Sequence, residues 1–257
     1  MIITLGQIVA AFLIFARIAG IFIQAPVLSS RSIPSQAKTA MAVWIAVALW
    51  FVVPLSKTLP VTVPMFILAV VAEVALGYLI GLVCNILFVA VQAAGEIMDL
   101  QMGLSVATAL DPVFGSVISI IGKLTFYLAL VIFLAVNGHH LLLSGLHNSF
   151  TVIPAGSPIN IFNGAVTVQL LALGGQMWII AIQLAAPIVL MIFLSDFTFG
   201  IVSRVAPQVN VFMLGFQVKP SLGIFALMTS APLFVKYVSG LVEKMGEEIV
   251  KLLAALK

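Results

Sequence analysis

PMFILAVVAEVALGYLIGLVCNILFVAVQAA, residues 64–94, is an almost unbroken apolar run with Glu73 as its one charged residue. After Pro64 it holds no further proline, and polar residues do not alternate with apolar ones, so the run predicts a helix rather than a barrel strand. A hydrocarbon core about 30 Å thick takes roughly 20 apolar helical residues. This run is long enough to cross it.

Outward from this segment, five more apolar stretches can be drawn: residues 2–28, 39–55, 116–146, 165–194 and 211–237. All read as helices. The expected fold class is therefore all-α, an integral membrane-type protein with about six long apolar, partly kinked helices. The 257 residues are 63% hydrophobic and 7% charged, whereas a soluble domain carries about a quarter charged residues. That excludes a soluble monomer and leaves no room for a separate soluble domain.

The formal net charge is +3, but Arg17, Arg31, Lys38, Lys57, Lys123, Arg204, Lys219 and Lys236 are scattered singly. No basic stripe for nucleic acid exists. Cys84, the single cysteine, lies inside an apolar run, which excludes an intramolecular disulfide and predicts a packed thiol. No Lys or Arg precedes the first apolar run, and Arg17 falls within it. The expectation is a retained helix rather than a cleaved signal peptide.

The connections are rich in helix breakers. Residues 29–38 hold Arg31, Pro34 and Lys38, and residues 54–64 hold Pro54, Pro60 and Pro64. The stretch NSFTVIPAGSPINIFNG, residues 148–164, has no charge at all, which suggests a partner-covered surface. Residues 195–223, SDFTFGIVSRVAPQVNVFMLGFQVKPSLG, lodge Asp196, Arg204, Asn210, Lys219 and two prolines among large apolar side chains that include Phe197, Phe199, Val205, Val209, Phe212, Met213 and Phe216. They read as a connection built to pack against protein. Lys and Arg bias favours both termini on the outer side. At the C-terminus, Leu241, Met245, Ile249 and Leu252 fall on one side of an amphipathic helix.

Arg17 and Glu73 are charges inside apolar runs, where an unpaired charge is costly. They are expected either to fasten helices to each other or to line a pathway for ions. Asn137, His139 and His140 interrupt the fourth stretch as NGHH. Adjacent histidines point about 100° apart on a helix, so hydrogen-bonded interface residues are expected here, not metal ligands. Ser144, His139 and Asp196 lack a nucleophile elbow, and no Gly-rich phosphate loop follows a strand. No catalytic, cofactor or metal residue is assigned. Gly77 with Gly81, and Gly174 with Gly175, permit close helix approach, either within the chain or to a neighbouring subunit.

Residues 95–115 are the candidate moving part. Gly103 and Gly115 are permissive joints, Asp111-Pro112 does not continue a helix comfortably, and Leu104, Val106, Leu110, Val113 and Phe114 add apolar bulk. Such a segment either plugs a pore or packs as a re-entrant turn.

Together, ARIAGIFIQAPVLSSRSIPSQAK (16–38), AAGEIMDLQMGLSVATALDP (93–112), FLAVNGHHLLLSGLHNSF (133–150), IPAG (153–156) and SRVAPQVNVFMLGFQVK (203–219) resemble the flagellar biosynthetic protein FliR family. The virulence counterparts of that family serve injectisomes. The resemblance implies a non-enzymatic subunit of the type III protein export gate in the bacterial inner membrane, at the flagellar basal body. Implied partners are FliP and FliQ homologues, an FlhB homologue, and exported flagellar proteins as cargo. It also implies a FliP-like part over about 1–160 and a FliQ-like hairpin with the tail over about 161–257. The pore plug of the family maps onto residues 105–116, with Ser105, Thr108, Asp111, Pro112, Val113, Phe114 and Gly115. Asp196, Arg204, Pro207, Gln208, Asn210 and Lys219 are expected to pack against other subunits. The competing readings are a small-solute or ion transporter built on Arg17 and Glu73, and a virulence injectisome paralogue.

Overall fold

The computed structural model describes residues 5–30, 33–54, 60, 62–105, 119–158 and 163–256. Among these the chain is all-α, with seven helices: α1 (Leu5–Gln24), α2 (Ser35–Trp50), α3 (Val63–Met102), α4 (Ile120–Ala135), α5 (Gly138–Val152), α6 (Gly164–Val205) and α7 (Val211–Ala255). Four are long and apolar enough to cross a membrane, or five spans if the bent pair α4 and α5 counts as one.

Breakers set the boundaries. Pro34 precedes α2 with φ −55° and ψ 141°, the extended conformation that proline favours ahead of a helix. Asn163 Oδ1 accepts the Ala165 N–H at the start of α6, and Asn210 Oδ1 accepts the Met213 N–H at the start of α7. Both are N-cap bonds that satisfy otherwise orphaned amides.

Three sequence expectations change. The fourth apolar stretch is not one helix: Asn137 adopts a left-handed φ of 58°, and α4 and α5 are bent by 71° across it. Asparagine tolerates that conformation better than most residues, and Gly138 follows it. Residues 195–223 are mostly helical, since α6 continues to Val205 and α7 begins at Val211. Only residues 206–210 connect them, with Pro207 unable to extend α6 comfortably from Ala206. The C-terminal amphipathic segment is likewise continuous with α7 rather than separate. Pro187 in α6 and Pro220 and Pro232 in α7 are accommodated inside the helices.

The chain divides into two compact units. The first comprises Met1–Leu87, Leu134–Gly174 and Val242–Lys257. Here α1 and α3 touch backbone to backbone: a Cβ on Gly77 would collide with the Arg17 carbonyl group and lie 3.1 Å from the Gly20 Cα. Gly81 faces Ala25 one turn further on. The Gly77–Gly81 pair thus serves this chain's own bundle. Ile249 near the end of α7 packs on Gly145 of α5, and Leu141 packs on Gly246. Met245, Ile249 and Leu252 are all buried, so the tail is a docked helix.

The second unit comprises Phe88–Phe133 and Gly175–Leu241. Phe88 of α3 meets Phe126 and Phe133 of α4 edge-on, with ring centroids 6.1 and 5.4 Å away. In α6 and α7, Tyr237 donates a hydrogen bond to Gln183 Oε1.

Candidate functional site

Arg17 and Glu73 meet in the first unit. Arg17 Nε lies 2.6 Å from Glu73 Oε2, and the two residues are 0% and 1% exposed. An isolated buried charge would be expensive, but this one is surrounded. The Arg17 Nη1 group donates to Ser149 Oγ and the Nη2 group to the Ile153 carbonyl, both at 3.0 Å. Its guanidinium carbon sits 4.0 Å above the Phe150 ring centroid, a cation–π placement. Glu73 uses its other oxygen to accept the Gly156 N–H at 2.8 Å. Gly156 has φ +83°, a conformation glycine adopts without penalty. The cluster therefore ties α1, α3, α5 and the segment after α5 into one charge-satisfied joint.

Ser149, Phe150 and Gly156 were not singled out from the sequence. They lie more than a hundred residues from Arg17 or within an uncharged stretch, and only the third dimension brings them together.

The second unit holds another polar junction. Asp99, 2% exposed, accepts the Ile121 N–H at the start of α4 at 3.3 Å. Ser119 Oγ accepts the Gly122 N–H at 2.8 Å. Thr125 Oγ1 lies within hydrogen-bond distance of the Ile121 and Gly122 carbonyls of its own helix, both at 3.0 Å, and of the Val91 carbonyl of α3 at 3.3 Å. A Cβ on Gly95 would collide with Thr125 Oγ1 and lie 2.7 Å from both the Gly122 Cα and the Ile121 carbonyl oxygen, so α3 and α4 approach closely at this crossing. Gly103, with φ +79°, ends α3 beside Phe216, and Met102 is pressed against Gly223. Of the expected plug residues, Ser105 is half-buried. Thr108, Asp111, Pro112, Val113, Phe114 and Gly115 fall outside the described residues.

Asp196 and Lys219 pair with each other at 2.6 Å between α6 and α7. They border an open cavity of about 480 Å³, lined also by Met102, Ser203, Phe212 and Phe216. Arg204 is exposed in the last turn of α6 and has no ion-pair partner among the described residues; Pro207, Gln208 and Asn210 lie exposed between the helices. Asn137 is the left-handed residue between α4 and α5, while the His139 and His140 rings lie 4.3 Å apart. His139 Nδ1 is buried without a hydrogen-bond partner among the described residues. No group of three or more potential metal ligands occurs among the described residues.

Large apolar side chains stay exposed along α6 from Val168 to Val205 and along α7 from Phe212 to Val235. Gly174 and Gly175 of α6 also have open space around them. Such surfaces require lipid or protein cover.

Residues 8–245 match the family described as bacterial export proteins, family 1. The chain belongs to that family. Within it, the chain is 34% identical over 220 residues, 85% of each chain, to the flagellar biosynthetic protein FliR of Bacillus subtilis (strain 168). It is 31% identical over 239 residues to the FliR of Escherichia coli (strain K12), covering 93% of this chain and 88% of the relative. It is also 35% identical over 160 residues to Yop proteins translocation protein T of Yersinia pestis, covering 61% of this chain and 60% of the relative.

Proposed function

We propose that this chain is a structural subunit of the flagellar type III export gate, a conduit for unfolded flagellar proteins in the bacterial inner membrane at the basal body. It assembles with FliP and FliQ homologues, with an FlhB homologue alongside. Residues 1–160 act as a FliP-like part and residues 161–257 as a FliQ-like hairpin with its tail. The segment 105–116 helps to plug the closed pore. It does no catalysis; its chemistry is the shaping and sealing of a channel.

The observation that carries this reading is the similarity to FliR over 85% of both chains. Geometry supports it. Helices of 40, 42 and 45 residues are about 60 to 70 Å long at 1.5 Å per residue, twice the hydrocarbon thickness. On α6, where large apolar side chains stay exposed from Val168 to Val205, tilt does not absorb that excess, so neighbouring subunits are needed to cover it. The flagellar assignment is favoured over an injectisome role because the FliR relatives align over 85% or more of this chain and Yop translocation protein T over 61%. The transporter reading loses its main support, since Arg17 and Glu73 are locked to each other and to neutral partners.

The test is co-expression with FliP and FliQ homologues from the same bacterium, followed by purification through a tag on this chain. A stable complex containing all three is expected. A monodisperse chain that associates with neither homologue would overturn the reading.

A further inference from the structure

Charge along α6 and α7 of the second unit is confined to two levels. No charged residue lies between Lys219 and Lys236 on α7, or between Gly175 and Asp196 on α6. Lys219 and Lys236 are 17 residues apart, about 25 Å of helix at 1.5 Å per residue. That approaches the hydrocarbon thickness of about 30 Å once the lysine side chains reach outward to water. Ile224, Phe225, Met228 and Leu233 are exposed between them, and both helices are long and apolar enough to cross a membrane. At one level stand Lys236 and Tyr237, which bonds to Gln183 of α6, with the exposed Trp178 five residues beyond Gln183. Tyr and Trp are the aromatic residues that favour a membrane boundary. At the other level stand Asp196 and Lys219.

Asp196 and Lys219 remain 45% and 26% exposed, and their single contact joins Nζ to Oδ1. It leaves two ammonium hydrogens and the second carboxylate oxygen available. The pair opens onto the cavity of about 480 Å³ whose other walls include Phe199, Gly200, Phe212 and Phe216. A purely anionic occupant would be repelled by Asp196 and a purely cationic one by Lys219. A group carrying both charges complements both. We propose that this cavity binds the headgroup of a phospholipid of the phosphoethanolamine type, with its phosphate on Lys219 and its ammonium on Asp196. The acyl chains then run over the exposed Leu190 and Phe193 in the charge-free stretch. A trimethylated choline headgroup carries the same charges but has no N–H to donate to the carboxylate, so it fits less well.

The experiment offers phosphatidylethanolamine, phosphatidylcholine or phosphatidylglycerol, all with the same acyl chains, to the purified full-length chain in neutral detergent. Retained lipid is counted by native mass spectrometry, and thermal unfolding is followed in parallel. The parent should keep several-fold more phosphatidylethanolamine than either of the others. Two variants should lose that preference while unfolding at the parent's temperature: D196N/K219M, which removes both charges, and G200L, which adds bulk where Gly200 has open space at the cavity wall. Equal retention of the three lipids by the parent, or retention of none, overturns the proposal. A preference for phosphatidylglycerol also overturns it, since an anionic lipid would then be the one recognised. If D196N/K219M is as stable as the parent and keeps the preference, the ion pair is not the receptor and the proposal fails. Should D196N/K219M unfold early, G200L decides: a lost preference supports the site, and an unchanged one refutes it. The chain is tested alone, so the outcome is separate from whether it assembles with FliP and FliQ homologues.

Discussion

Arg17 shows what a buried charge needs in an apolar bundle. Its ion pair, two further hydrogen bonds and an aromatic face satisfy it, yet such a cluster contributes more to geometry than to net stability. The consequence is an asymmetry between single and paired substitutions. Glu73→Ala leaves the guanidinium buried without its counter-charge and orphans the Gly156 amide, so it should destabilise the purified chain by about 3–5 kcal/mol. The double variant R17M/E73L removes both charges at similar volume and should cost much less than the sum of the two single changes. Thermal unfolding of the parent, R17M, E73L and R17M/E73L in detergent closes the cycle. Strictly additive losses would show that Arg17 and Glu73 are not energetically coupled.

Helix crossings separate glycines that serve this chain from glycines that serve its neighbours. Gly77 has no room for a Cβ beside the Arg17 carbonyl, whereas Gly174 and Gly175 have nothing within 4 Å. Gly77→Ala should force α1 from α3 and impair folding of the chain itself. G174A/G175A should leave the isolated chain folded, with a gain of order 1 kcal/mol per site from helix propensity, and weaken the export complex if a neighbouring helix approaches there. Measured stability of the chain and yield of the complex distinguish the two; an undiminished complex from G174A/G175A would remove these glycines from any interface. The elements themselves were largely legible in the sequence, because apolar runs of span length admit few alternatives. Residues 195–223 were misread because their charges, prolines and glycines resemble a connection, while Phe197, Phe199, Phe212 and Phe216 are carried on continuing helices. The 71° turn at Asn137 was legible as an interruption but not as an angle, since an angle depends on packing. Arg17 and Glu73 announced themselves as isolated charges, but the Asp99 junction did not: its partners are backbone amides, which no residue type reveals.

At the scale of the whole molecule, the exposed apolar surface is too long for a bilayer to cover. From Val168 to Val205, α6 extends about 55 Å at 1.5 Å per residue, and exposed apolar residues recur along it, whereas lipid shields about 30 Å. Even a helix tilted by 40° keeps a substantial length beyond the hydrocarbon. Cysteine scanning can locate that excess because the native Cys84 is fully buried and gives little background. Single substitutions V168C, L190C and V205C sample both ends and the middle of α6. With the chain alone in membranes, a membrane-impermeant maleimide should label at least one end and spare L190C, which lipid covers. In the complete complex the end position should also become protected, because only another subunit covers an apolar helix beyond the bilayer. Full protection of all three positions in the chain alone would mean that lipid suffices and that no subunit is needed there. An end position that stays equally reactive in the complex would remove α6 from the assembly interface.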